Sequence, residues 1–291
     1  MQGGEARVSV PYAIAYRPPP DHLADRVSSF YEFTDPAPLH DDVERSDRQQ
    51  LRLMLQGGGR YEFANGHHDP SPLVGLLGPT TGSVRGISTG PTMVVGAGLW
   101  PAAWHAMAGQ HADVWLDRMI DARTVFGNRA QALWRDVAAA SDMEARFAVL
   151  ADFITDVTEP ADPEHLRFSR LVDSWLTGNT DPQIEQLLAA TGYNQRKLER
   201  MTRHYYGLTP KTLSRKYRAL RAAAAMVRGE DIDEAGLADG FYDQSHLIRE
   251  VKRFAGLTPQ RLKARESRLL TEIAEGRVGL RGAVSALVSD S

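Results

Sequence analysis

The chain has 291 residues, 42% of them hydrophobic, a formal net charge of -3 and no cysteine. That length suggests two domains with ordinary packed cores, and the missing cysteines exclude disulfides, thiol nucleophiles and thiolate metal sites. No apolar run approaches the roughly 18 residues of a membrane helix, and Met1–Arg7 lacks the apolar core of a signal peptide, so a cytoplasmic protein without membrane contact is expected.

Residues 1–110 are predicted to be β-rich. Ala6, Val8, Val10, Tyr12, Ile14 and Tyr16 alternate with other residues at the period of a strand. Leu51, Leu53 and Leu55 do the same, Gly57-Gly58-Gly59 interrupts, and Tyr61 and Phe63 resume, a pattern that reads as a hairpin with a loose turn. Met93, Val95, Ala97 and Leu99 form a further alternating set. Many short strands with glycine and proline punctuation suggest an antiparallel sandwich or barrel.

Residues 111–158 turn helical, with Val114, Met119, Val125, Leu133, Val137, Phe147, Leu150 and Ile154 at spacings near three and four. Ser141-Asp142 separates two helices and supplies an N-cap. Glu159-Pro160-Ala161-Asp162-Pro163 reads as a linker. A helical domain is expected over 163–270, with helices running to about residue 275; the tail 271–291, which shows no strong period from Arg277 onward, is expected to be poorly ordered.

The helical domain says nearly the same thing twice. Shifted by 49 positions, Leu198 falls on Leu247, Arg200 on Arg249, Arg203 on Lys252, and Gly207-Leu208-Thr209-Pro210 on Gly256-Leu257-Thr258-Pro259. A repeat of this size is one supersecondary unit used twice. In the first copy Asp181-Pro182 starts a supporting helix, Gly192 turns the chain, and Asn194 caps a second helix over about 194–206. Leu198, Met201 and Tyr205 form its buried stripe. Arg196, Arg200 and Arg203 share an outward face, flanked by Gln195, Lys197 and Glu199. In the second copy Ile232, Ala235, Leu237 and Ala238 build the supporting helix and Gly240 turns the chain. Asp243 caps a helix over about 243–255. There Leu247, Val251 and Phe254 point inward, Ser245, Arg249 and Lys252 point outward, and Gln244 and His246 sit in the first turn.

Such faces suit double-stranded DNA. Arg reaches guanine O6 and N7 with two bonds and Gln does the same on adenine, while the remaining cations meet phosphates. Charge agrees: residues 164–270 carry 19 Lys/Arg and 13 Asp/Glu, whereas the rest has 15 and 24. Thr191–Arg221 alone has nine basic residues against one acid. Leu213, Tyr217, Leu220, Ala224 and Val227 hold one stripe from about Lys211 to Arg228, a rod of roughly 27 Å between the two heads.

Residues 164–268 resemble the double helix-turn-helix domain of AraC/XylS-type transcription regulators, most specifically over Gly240–Pro259. The resemblance implies base contacts from Arg196, Glu199 and Arg200 in the first head and from Gln244, Ser245, His246 and Arg249 in the second. Val251 stands where the family more often has Phe, a change confined to packing. Residues 1–110 resemble the cupin-like sensory domains fused to such heads. That likeness implies a small-molecule effector, a homodimer formed through the following helices, and contact with RNA polymerase if the protein activates. The expected fold is therefore α+β: an N-terminal β-barrel or cupin-like domain with following helices, then an all-α domain with two helix-turn-helix motifs.

Catalysis is not expected, nor any cofactor. His67-His68-Asp69 are adjacent in a Gly/Asn/Pro-rich turn and read as surface rather than as a metal site. His105 and His111, near Trp100, Trp104 and Trp115, read as a seam between barrel and helices rather than an aromatic pocket. No Walker-type loop follows Gly57-Gly58-Gly59 and no Gly-x-Ser-x-Gly elbow occurs, and the cysteines that DNA-repair relatives need are missing. A different reading of the N-terminal domain is that it only dimerises or binds a partner protein, with no small-molecule ligand.

Overall fold

The structure, a computed structural model, describes residues 11–158 and 162–291. The N-terminal half is one antiparallel sheet of eight strands: β1 (Ala13–Arg17), β2 (Val27–Asp35), β3 (Leu39–Glu44), β4 (Gln50–Phe63), β5 (His68–Pro70), β6 (Val74–Leu77), β7 (Val84–Leu99) and β8 (Met119–Asp121). The main order is β1-β2-β7-β4-β6-β8, with β3 also on β7 and β5 also on β4. The expected strand at 6–10 lies outside the described residues.

The central strands are buried on both sides, and the period of two sorts their side chains. Phe30, Leu51, Leu53, Val95, Ala97 and Leu99 face helices α1 (Pro101–Ala108), α3 (Asn128–Ala139) and α4 (Met143–Val157), joining Trp104, Leu133, Val137, Phe147, Leu150 and Ile154 in the largest core. A short helix, α2 (Arg123–Phe126), precedes α3. Tyr31, Phe33, Met54 and Val94 face the other way, towards the C-terminal part of the chain. Asp142 caps α4 by accepting from the Ala145 amide at 2.9 Å, as its position suggested.

Gly57-Gly58-Gly59 is not a hairpin turn. β4 runs through it, paired with β7 from Gln50↔Gly98 to Phe63↔Val84, with register shifts between Met54 and Gln56 and between Gln56 and Gly58. The glycines bend a long strand: Gly57 has φ 84°, and a Cβ on Gly59 would lie 1.8 Å from the Ile87 carbonyl oxygen. Bulges of this kind leave ladder groups unpaired, and Trp134 Nε1 fills one such gap by donating to the Met54 carbonyl at 2.8 Å.

The C-terminal half contains α5 (Pro163–Thr177), α6 (Ile184–Thr191), α7 (Gln195–Tyr206), α8 (Pro210–Arg228), α9 (Gln244–Ala255), α10 (Pro259–Lys263), α11 (Arg268–Val278) and α12 (Ala286–Ser289). α6 starts later than Asp181-Pro182 suggests, because Gln183 and Gln186 form a reciprocal capping box there. The second head has no supporting helix. Residues 231–239 make turns closed by Ala235 N to Asp231 O and Leu237 N to Ile232 O, and Gly236 at φ 64° ends them. The tail is not loose: α11 packs on β1 and β3, and Leu280, Leu287 and Val288 are buried. Its apolar residues lack a helical period because they fill gaps beside two different cores. No helix among the described residues is long and apolar enough to cross a membrane.

Candidate nucleic-acid interface

α7 begins at Asn194, whose side chain accepts from the Lys197 amide at 2.8 Å, and ends at Gly207 in the left-handed region. Leu198, Thr202, Tyr205 and Tyr206 are buried, and Met201 packs against the same core. Gln195, Arg196, Arg200 and Arg203 are exposed. Glu199 is half-buried and accepts weakly from Gln195 Nε2 at 3.5 Å rather than pairing with Arg203. Lys197 lies 3.7 Å over the Tyr193 ring, so its charge is partly engaged.

α9 repeats this construction. Asp243 accepts from the His246 amide at 2.7 Å, and Gly256 ends the helix at φ 87°. Val251 and Phe254 are fully buried and Leu247 packs against them. Gln244, Ser245, Arg249 and Lys252 are exposed. His246 is half-buried: its Nδ1 accepts from the Tyr242 amide at 3.2 Å, which places the proton of the neutral ring on Nε2, the nitrogen left for a donor role. Tyr242, immediately before the cap, is 93% exposed.

α8 joins the heads, and it absorbs much of the basic charge. Arg215 pairs with Glu250, Arg218 with Asp181, and Arg221 donates to the carbonyls of Asn179 and Thr180. Lys216 is buried and donates to the carbonyls of Asp47 and Thr80; burial pulls its pKa down to about 8. Four of the nine cations of Thr191–Arg221 are therefore structural. Arg196, Arg200 and Arg203 of α7 and Lys211 remain exposed.

Residues 187–265 match the family model for a helix-turn-helix domain. This segment is an AraC-type helix-turn-helix domain. The chain that carries it is a DNA-binding regulator of transcription. Among solved structures, an apo variant of ToxT from Vibrio cholerae is similar at 11% identity over 81% of this chain and 98% of that one, with a TM-score of 0.47. The AraC-like transcriptional activator CuxR is similar at 15% identity over 77% and 91%, with a TM-score of 0.30. No curated protein matches the chain.

The helix-turn-helix domain docks on the sheet domain through the C-terminal ends of α7 and α9. Gln49 Nε2 donates to the Tyr205 carbonyl at 2.8 Å, at the end of α7. Ser46 N donates to the Phe254 carbonyl at 2.6 Å and Ser83 N to the Arg253 carbonyl at 2.9 Å, at the end of α9. These are orphan carbonyls of helix ends, and the sheet domain satisfies them. Both Gly-Leu-Thr-Pro turns are pressed against it. A Cβ on Gly207 would lie 2.8 Å from Pro79, and one on Gly256 would lie 2.1 Å from Val43.

The histidine region is a seam, but between the two domains. The His204 ring of α7 lies 4.7 Å from that of His105 and 4.1 Å from that of His111, and His165 stands 6.2 Å from His105. Burial, then the charges that His111, His105 and His165 would carry, pulls His204 down to about 4. Among the described residues no group of three or more His, Asp or Glu is placed to hold a metal ion. His67 is engaged by Asp69 at 2.9 Å, and Asp69 is shared with Arg118 and the Met119 amide.

A partly open cavity lies between the inner face of the sheet and α11. Its lining comes from strands far apart in the chain and from a helix beyond the second head, so no spacing in the sequence marks it.

Proposed function

We propose that α7 and α9 enter successive major-groove segments of one duplex, and that a small-molecule effector in the N-terminal domain controls how they are presented. The observation that carries the reading is the shared construction of the two helices. Each is capped at its N-terminus by an Asn or Asp, buries one apolar stripe, and exposes cations at matching positions. Arg196, Arg200, Gln195, Gln244, Ser245 and Arg249 then reach base edges, joined by Glu199 and by Nε2 of His246. Arg203 and Lys252, one turn further along, meet phosphates. α8, with 19 residues, spans about 28 Å, which suits heads roughly one duplex turn apart.

Selecting bound sites from random duplex DNA with the full chain tests this. Two short conserved blocks about one helical turn apart are expected, with affinity falling as salt rises. Binding without preference among duplexes would overturn it. The cavity supports the effector reading over a purely dimeric or protein-controlled regulator.

A further inference from the structure

We infer that Ile248 of α9 is a base-reading residue that takes the 5-methyl group of a thymine, and that the two heads therefore read unlike blocks of DNA. This deepens the groove reading of α7 and α9 and rests on it. The repeat allows the heads to be compared position by position. Gln195 falls on Gln244, Arg200 on Arg249 and Arg203 on Lys252, so three positions of the outward face keep their chemistry. At two others the copies part: Arg196 falls on Ser245, and Glu199 on Ile248.

Ile248 stands in a row that faces outward. Gln244, Ile248 and Lys252, spaced by four, lie one above another on α9, as Gln195, Glu199 and Arg203 do on α7. Gln244 and Lys252 are exposed, and Ile248 between them is 38% exposed. It borders an open groove beside Phe241 and Leu247, but the core that those two share with Val251 does not include it. In the major groove thymine offers a methyl group, and an apolar side chain is what contacts it. Arg and Glu suit guanine and the cytosine amino group instead. Arg196 and Glu199 thus favour G·C pairs in the first block. Ile248, beside a Ser245 hydroxyl that suits any base, favours thymine in the second. β-branching keeps Ile248 stiff at χ1, so the contact costs little rotamer freedom.

The test uses the site that the full chain selects from random duplex DNA, the second block being the one whose preference relaxes in Arg249→Ala. Each thymine of that block is replaced in turn by deoxyuridine, which removes the methyl group and leaves base pairing intact. One replacement is expected to weaken binding about fourfold, the worth of one buried methyl group, and that effect should vanish in Ile248→Ala. Ile248→Glu should lose it too and turn the preference at that position from thymine to cytosine. Both variants change an exposed side chain, and either one decides alone if the other does not fold. A second block without thymine, no response to deoxyuridine, or a response that persists in the variants would overturn the proposal and leave the groove reading standing. Selection of no preferred duplex would overturn both.

Discussion

Arg215 of α8 holds the Glu250 carboxylate of α9 with two bonds, Nε to Oε2 at 2.7 Å and Nη2 to Oε1 at 2.6 Å. The pair fixes α9 to α8. Burial pushes the Glu250 carboxyl up, but the two bonds and the charge of Arg215 outweigh it and hold the carboxyl below the ordinary range. Its stabilisation is therefore present above the unfolded carboxyl pKa and is lost as pH falls through the depressed folded value. Arg215→Ala leaves a buried carboxylate alone and should cost about 1–3 kcal/mol at pH 7 in urea melts. Adding Glu250→Gln should recover part of that loss; a double variant as weak as the sum of the two single ones would show that the pair is not coupled.

Arg249 and Lys252 are both exposed on α9, one turn apart, yet they should fail differently. Arg249→Ala should cost about 1–3 kcal/mol on the selected site and relax specificity at one or two base pairs. Lys252→Ala should weaken cognate and random duplexes alike and flatten the salt slope by about one. Binding titrations on both kinds of duplex at several salt concentrations measure the difference. Identical behaviour of the two variants would erase the division between base and phosphate contact.

His204 links α7 to the sheet domain by a route that is sensitive to acid. Its neighbours are His105 and His111 from the sheet domain, His165 and Tyr205 from the helical side, and Asp113, an acid that favours its charge. Its folded pKa of about 4 lies below the ordinary 6.5. The unfolded chain therefore binds the extra proton first, and stability should fall as pH drops from about 6.5 towards 4. Burial, followed by His165, lowers His105 as well, which adds to the same trend. Melting curves at pH 7.5 and 5.0 should show the drop, and His204→Gln should shrink it. A drop unchanged by that substitution would place the acid sensitivity elsewhere.

The parts of this molecule that could be read from the residues are those set by local rules. Asn194 and Asp243 cap as their positions predict, and the stripes through Leu198 and Tyr205 and through Val251 and Phe254 are buried because helical spacing puts them on one side. What stayed hidden depends on distant partners. Arg218 and Arg221 carry the same charge as Arg200, and only the acid or carbonyl beside them makes them structural. Gly57-Gly58-Gly59 has turn composition, but the close approach of β7 keeps it in a strand. His105 and His204 are 99 positions apart, so no spacing rule joins them. α11 sends Leu269 and Ile273 to the cavity and Leu270 and Ala274 to the second head, and no spacing rule names those two partners.

Gly256 closes α9 and touches the sheet domain at the same point, which makes it the sharpest probe of docking. Its φ of 87° suits glycine, and an added Cβ would meet Val43 Cγ1 at 2.1 Å and Ser83 Cβ at 3.0 Å. Left-handed backbone alone costs a side chain about 1 kcal/mol. The contact with Val43 must then be relieved by pushing the second head away from β3, at the expense of the bonds from Ser46 to Phe254 and from Ser83 to Arg253. Gly256→Ala should therefore lower the Tm and open the segment 43–49 to proteolysis. Gly192→Ala, where φ is 68° but nothing lies within reach of the new methyl group, should cost only the backbone strain and leave that segment protected. If both variants protect 43–49 equally, the second Gly-Leu-Thr-Pro turn is not a docking point.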